Sequence, residues 1–141
     1  MFNLNESGLN TSPFAKSQNV TVTEQTPTVI NLQGTDPEDN NLTYSITEKP
    51  QYGRVILDGS SATYTSFYDA VYSDSFYFNV NDGTLDGDSP AKVSITIDGV
   101  NDSPISNNIS SATIVNTNVI IPLVAKDPDY DDIKYRITKL P

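Results

Sequence analysis

Three short acidic phrases carry the chemistry in this 141-residue chain: Asp36-Pro37-Glu38-Asp39, Asp98-Gly99-Val100-Asn101-Asp102 and Asp127-Pro128-Asp129. A calcium ion takes six to eight hard oxygen ligands at about 2.3–2.6 Å, and carboxylates, amide oxygens and backbone carbonyls supply them. An Asp-x-Asp pair on a loop beside an Asn-Asp linker brings several such oxygens to one end of a domain. Without a cation, those carboxylates repel one another. The same residues also favour tight turns, because Asp, Asn and Pro suit chain reversals whether or not a metal is present. Other chemistries find little material. Paired carboxylates for glycoside hydrolysis sit here in short turns with no aromatic cleft implied. Lys92 and Lys134 alternate with apolar neighbours, so neither points inward for an isopeptide crosslink.

Charge narrows the partners. The chain has 18 acidic residues against 8 basic, a formal net charge of −10, and no histidine. Nucleic acid and anionic membrane surfaces select for Lys and Arg, so neither is expected. Cysteine is absent, which removes disulfides and thiolates from the argument. No apolar run approaches the ~20 residues of a membrane span, so no membrane insertion is expected. Met1 to Glu6 lack the basic start and apolar core of a signal peptide, so any secretion or anchoring signal is expected outside this segment.

The elements that must position the acidic phrases are set by an internal repeat. Ser7-Gly8-Leu9-Asn10-Thr11-Ser12-Pro13 returns 91 positions later as Asp98-Gly99-Val100-Asn101-Asp102-Ser103-Pro104. At the same offset Asp36-Pro37 matches Asp127-Pro128, Leu42-Thr43-Tyr44-Ser45-Ile46-Thr47 matches Ile133-Lys134-Tyr135-Arg136-Ile137-Thr138, and Pro50 matches Pro141. A fixed period of this kind marks a tandem array. Residues 1–12 are therefore expected to be the tail or linker of a preceding repeat, 13–103 a complete repeat, and 104–141 the first half of the next. Cutting the period at 51 instead would split a domain across the polar, proline-ended link that suits a boundary.

Within 13–103 the pattern is all β. Leu42, Tyr44 and Ile46 share one face, Phe76, Phe78 and Val80 another, and Val93, Ile95 and Ile97 a third, each at a period of two. Asp58-Gly59 and Asn81-Asp82-Gly83 read as turns. About seven short strands with turn signals between them predict a Greek-key β-sandwich. The predicted core is Ile30, Leu32, Leu42, Tyr44, Ile46, Val55, Phe76, Phe78, Val80, Val93, Ile95 and Ile97. Tyr44, Tyr64 and Tyr77 suggest a carbohydrate platform less readily than packing, which is the commoner use of strand tyrosines. Residues 104–141 carry too few strands to bury a core alone. Strands near 119–124 and 132–139 are expected to pair with another copy of the chain or with chain outside this segment.

Val22-Thr23-Glu24-Gln25-Thr26-Pro27, the Asp36 to Ile46 stretch, Asp74 to Gly83 and Val100-Asn101-Asp102-Ser103-Pro104 together resemble the cadherin-like tandem repeats of large bacterial surface proteins. Such repeats occur in RTX-type adhesins and VCBS-containing proteins, and more distantly resemble animal cadherins. The resemblance covers roughly positions 13–141. It implies an extracellular immunoglobulin-like sandwich with calcium bound between repeats. Glu24 sits where such repeats place a glutamate after the first strand. Asp98, Asn101 and Asp102 fall on the linker ligands, and Asp127 with Asp129 on the aspartates that open the next repeat. Asp69 or Asp74 stands for the acidic loop before the sixth strand. Asp36, Glu38 and Asp82 form the equivalent cluster facing the preceding repeat. The chain departs from the pattern at Thr11, which replaces a linker aspartate, at Val115, which replaces the glutamate, and at Gly99, which lengthens the linker.

These observations lead to one expectation: a non-enzymatic, secreted or cell-surface module of a bacterial adhesin or surface fibre, stiffened by Ca2+ at its joints. It would act as a spacer in cell adhesion, with adjacent repeats of the same polypeptide as partners. The alternative is a recognition module that binds glycan or protein, such as a cell-surface receptor, through loops or an exposed face.

Overall fold

The computed structural model describes residues 9–67 and 72–139. The chain divides into two units between Gly99 and Val100, inside the linker phrase singled out above. Among the described residues of the first unit there are nine strands: β1 (Phe14–Lys16), β2 (Gln18–Thr23), β3 (Thr28–Asn31), β4 (Gln33–Thr35), β5 (Thr43–Glu48), β6 (Gly53–Asp58), β7 (Ser61–Ser66), β8 (Ser73–Asn81) and β9 (Ala91–Asp98). A four-stranded sheet runs β2-β9-β8-β5 and a three-stranded sheet runs β3-β7-β6, with β1 and β4 paired separately. All contacts within these sheets are antiparallel except β2 with β9, which is parallel. This is the expected all-β sandwich.

Alternation explains the core. Phe76, Phe78 and Val80 of β8 and Val93, Ile95 and Ile97 of β9 are buried, against Ile30, Ala62 and Tyr64 of the other sheet. Their outward neighbours are mostly Ser, Thr, Asn, Lys and Tyr, so each strand has one apolar and one polar face. Gly59 and Ser60 make the β6–β7 turn between the paired Asp58 and Ser61, with Gly59 at φ 59°, a left-handed conformation that glycine adopts without a Cβ penalty.

The structure corrects the expectation in three places. Leu42, Tyr44, Ile46 and Val55 are only partly buried and pack against the core from outside it. Their strands, β5 and β6, are sheet edges, where one flank stays open to water. Val22, Ala62, Tyr64 and Ala91 join the core instead. The expected seven strands become nine, because the first and second are each interrupted. Ser17 breaks the first and takes the Lys92 N–H on its Oγ; Leu32 breaks the second and donates its N–H to Ser60. Each interruption lets the chain cross from the β1–β4 pair to a main sheet.

In the second unit the described strands are β10 (Ile105–Ser106) and β11 (Ala125–Lys126), which pair antiparallel. The expected strands near 119–124 and 132–139 do not form among the described residues. Their counterparts β3 and β5 pair with β7 and β8, and the described residues 104–139 hold no counterpart of β7 or β8.

Candidate functional site

The acidic residues gather at strand ends, in three groups. The first lies where β2 and β9 finish side by side, with Thr23 opposite Asp98. The Glu24 N–H donates to the Asp98 carbonyl at 3.0 Å, which sets Glu24 beside the first residues of the linker. Gln25 follows at φ 52° and donates its N–H to Ser66 Oγ at 2.7 Å, turning the chain away. Glu24 is only 4% exposed. A Cβ built on Gly99 would stand 3.9 Å from both of its carboxylate oxygens. Burying a carboxylate is costly unless hydrogen bonds or a cation compensate.

The second group belongs to the second unit. Asp127, 6% exposed, accepts the N–H of Asp129 at 3.0 Å and of Asp131 at 3.3 Å on one carboxylate oxygen. That Asx turn points Asp129 back to the linker, where its carboxylate accepts the N–H of Asp102. Carboxylate oxygens of Asp102 and Asp129 lie within 4.8 Å of each other. Asn101 is exposed beside them and donates its amide to the Asp102 carbonyl at 3.3 Å.

The third group sits at the start of the first unit, where Phe14 pairs with Thr35 and Thr43 with Asn81. Asp36 repeats the Asx turn, accepting the N–H of Glu38 at 3.0 Å and of Asn40 at 2.9 Å. Thr11 holds both oxygens of Glu38, its hydroxyl donating at 2.8 Å and its N–H at 3.2 Å. The Asn10 amide donates to Asp82 at 2.8 Å. The N–H groups of Leu85 and Thr84, with that amide, keep the Asp82 carboxyl below the usual carboxylate range.

Of the remaining candidates, Asp69 lies outside the described residues. Asp74 is committed to the fold, accepting the N–H groups of Gln51 and Tyr52 and the Tyr64 hydroxyl at 2.9–3.0 Å. Burial and then that hydrogen bond push the Tyr64 phenol far above its ordinary value, so Tyr64 remains a donor. It is a core residue and not part of a carbohydrate platform. An open trough of about 500 Å³ on the first unit, lined by Asn19, Gln51, Tyr52, Ser75, Lys92 and Ser94 among others, had no signal in the sequence. It arises because β5 leaves the sheet at Glu48 and uncovers the far end of β8. Among the described residues, no helix is long and apolar enough to cross a membrane.

Residues 10–96 match the bacterial Ig domain family. The chain belongs to that family. Its fold is also that of cadherin repeats. Human protocadherin-24 EC1-2 superposes with a TM-score of 0.56 at 17% identity, over 84% of this chain and 61% of that one. Form II of the same protein gives 0.57 at 19%, over 85% and 63%. The chain is also similar to integrin beta-like protein C of Dictyostelium discoideum, 28% identical over 137 residues. That match takes in 84% of this chain and spans 7% of the length of the Dictyostelium protein. The family match ends before the linker, so the bacterial Ig character of 104–141 rests on the internal repeat.

Proposed function

We propose that this bacterial Ig repeat is a non-enzymatic spacer of an extracellular surface protein, stiffened at its 98–104 joint by calcium and serving adhesion. The observation that carries the reading is the pairing of Asp102 with Asp129: a backbone N–H of one residue meets the carboxylate of the other, so two like charges are held together. In a chain of net charge −10, a divalent cation is the partner that relieves such a pair. Asp127 and Asp129 would contribute from one repeat, and Glu24 and Asp98 from the other. Asp98 and Asp102 are separated by at most about 14 Å of extended chain, a short enough tether for both repeats to share one ion. The likeness to protocadherin repeats and to an integrin beta-like protein supports the adhesive, extracellular assignment.

Sites of this extracellular kind bind at about 10⁻⁴–10⁻³ M, so the ion would be held outside a cell and absent inside. At ~100 times Kd, binding adds about 2.7 kcal/mol to the aligned state. Thermal melting with calcium and with chelator tests the reading. Calcium should raise the midpoint of the wild-type chain and leave Asp102→Ala unmoved. Equal responses of the two proteins would overturn it. A second reading, glycan recognition, is favoured by the hydroxyl- and amide-lined trough on the first unit. It is tested by titrating soluble oligosaccharides against the wild-type chain and Asn19→Ala.

A further inference from the structure

The two linkers of this chain have the same backbone bond and opposite side-chain chemistry. At an offset of 91, the bond from the Thr11 N–H to Glu38 is repeated as the bond from the Asp102 N–H to Asp129. The Asx turns of Asp36 and Asp127 repeat as well. Three neutral residues of the first group, Thr11, Asn40 and Asn41, stand where the second group has Asp102, Asp131 and Asp132. The neutral side chains act as donors. The Thr11 hydroxyl occupies Glu38 at 2.8 Å, the Asn10 amide occupies Asp82 at 2.8 Å, and the Asn40 amide closes onto Asn10 at 3.3 Å. The first linker thus answers the carboxylates of Glu38 and Asp82 with N–H and O–H groups, whereas the second offers Asp102 in place of a donor.

From this we infer that the joint before Pro13 is fastened by side-chain hydrogen bonds and needs no cation, so calcium sensitivity is confined to the 98–104 joint. The contrast rests on the calcium reading above, but the fastening of the first linker does not. The first linker keeps its hold on the repeat at any calcium concentration, and the second stiffens only where calcium is plentiful. Hydrogen bonds to a carboxylate are charge-assisted and stronger than neutral ones, which is enough to hold a linker already ended by a buried proline.

Amide hydrogen exchange on the whole chain, in calcium and in chelator, separates the two joints. The Thr11 amide should exchange at the same rate in both solutions. Thr11→Val keeps the N–H but deletes the hydroxyl, and should speed exchange at position 11 about threefold to tenfold in both, as expected for one lost hydrogen bond. Thr11→Asp should speed it further in chelator, because a carboxylate then faces Glu38. Faster exchange of wild-type Thr11 on chelation, or an unchanged rate in Thr11→Val, would overturn the inference. The Asp102 amide, read in the same spectra, reports on the calcium reading separately: a rate indifferent to calcium there would sink that reading and leave this one standing.

Discussion

Residues 13–50 and their repeat at 104–139 share local conformation and differ in burial. Gln25 and Asn116 occupy matched positions at φ 52° and 62°, and Asp39 and Tyr130 do so at 58° and 62°. The Thr26-to-Thr23 turn bond recurs as Thr117 to Ile114, each at 3.3 or 3.2 Å. The β1–β4 ladder recurs as β10–β11, Phe14 opposite Thr35 and Ile105 opposite Lys126. Yet Ile30 and Leu32 are 3% and 4% exposed, while their counterparts Ile121 and Leu123 are 48% and 56% exposed. Turn geometry is therefore set within a few residues by Asx bonds and short ladders. Burial needs partners from far along the chain, here β7, β8 and β9, and the described residues 104–139 hold no equivalent of them.

The largest expected effects break the comparison through the core. Phe78→Ala should cost about 3–5 kcal/mol, and Ile30→Ala about 2–5 kcal/mol, in chemical denaturation followed by tyrosine fluorescence. Ile121→Ala should cost less than about 0.5 kcal/mol, because its side chain has little burial to lose. Similar losses for Ile30→Ala and Ile121→Ala would mean that the second unit acquires a core in solution.

A smaller effect concerns the buried phenol. Tyr64 has its folded pKa raised by burial and by the bond to Asp74. A raised value means that the unfolded chain loses this proton first as pH climbs past the ordinary tyrosine value of about 10. The stability tied to the protonated phenol is therefore complete below about pH 10 and declines above it. Melting curves between pH 8 and pH 11 should show that decline, and Tyr64→Phe should flatten it. An equally steep decline in the variant would place the alkaline sensitivity elsewhere.

The smallest effect sharpens the comparison at matched turns. Gln25 and Asn116 hold matched left-handed backbones at φ 52° and 62°, a conformation that is strained for most side chains. Asn116→Gly should change the cooperative transition by only a few tenths of a kcal/mol, since asparagine already tolerates that conformation and its turn lies outside the buried core.

Much of the fold was legible because alternation is a strong signal on a half-buried strand. Phe76, Phe78, Val80, Val93, Ile95 and Ile97 all face inward as their period requires. Tyr64 was not, because Ser61-Ala62-Thr63-Tyr64-Thr65-Ser66 is polar in composition and its burial depends on Gly53 leaving room across the β6–β7 pair. A Cβ on Gly53 would come within about 2.5 Å of the Tyr64 ring. Periodicity also could not tell edge from centre, so Leu42, Tyr44, Ile46 and Val55 read as core. For the candidate site, the repeat offset showed that Asp36 and Asp127 are equivalent. It did not show that the Thr11 hydroxyl satisfies Glu38, since that bond joins residues 27 positions apart.

The central claim, that a calcium ion belongs to the 98–104 joint, is tested most directly by calorimetric titration of calcium into the chain after chelator treatment. The account predicts a saturable heat at the 98–104 joint with Kd of about 10⁻⁴–10⁻³ M, lost in Asp102→Ala and kept in Thr11→Val. No saturable heat, or the same heat in Asp102→Ala as in the wild type, would contradict it.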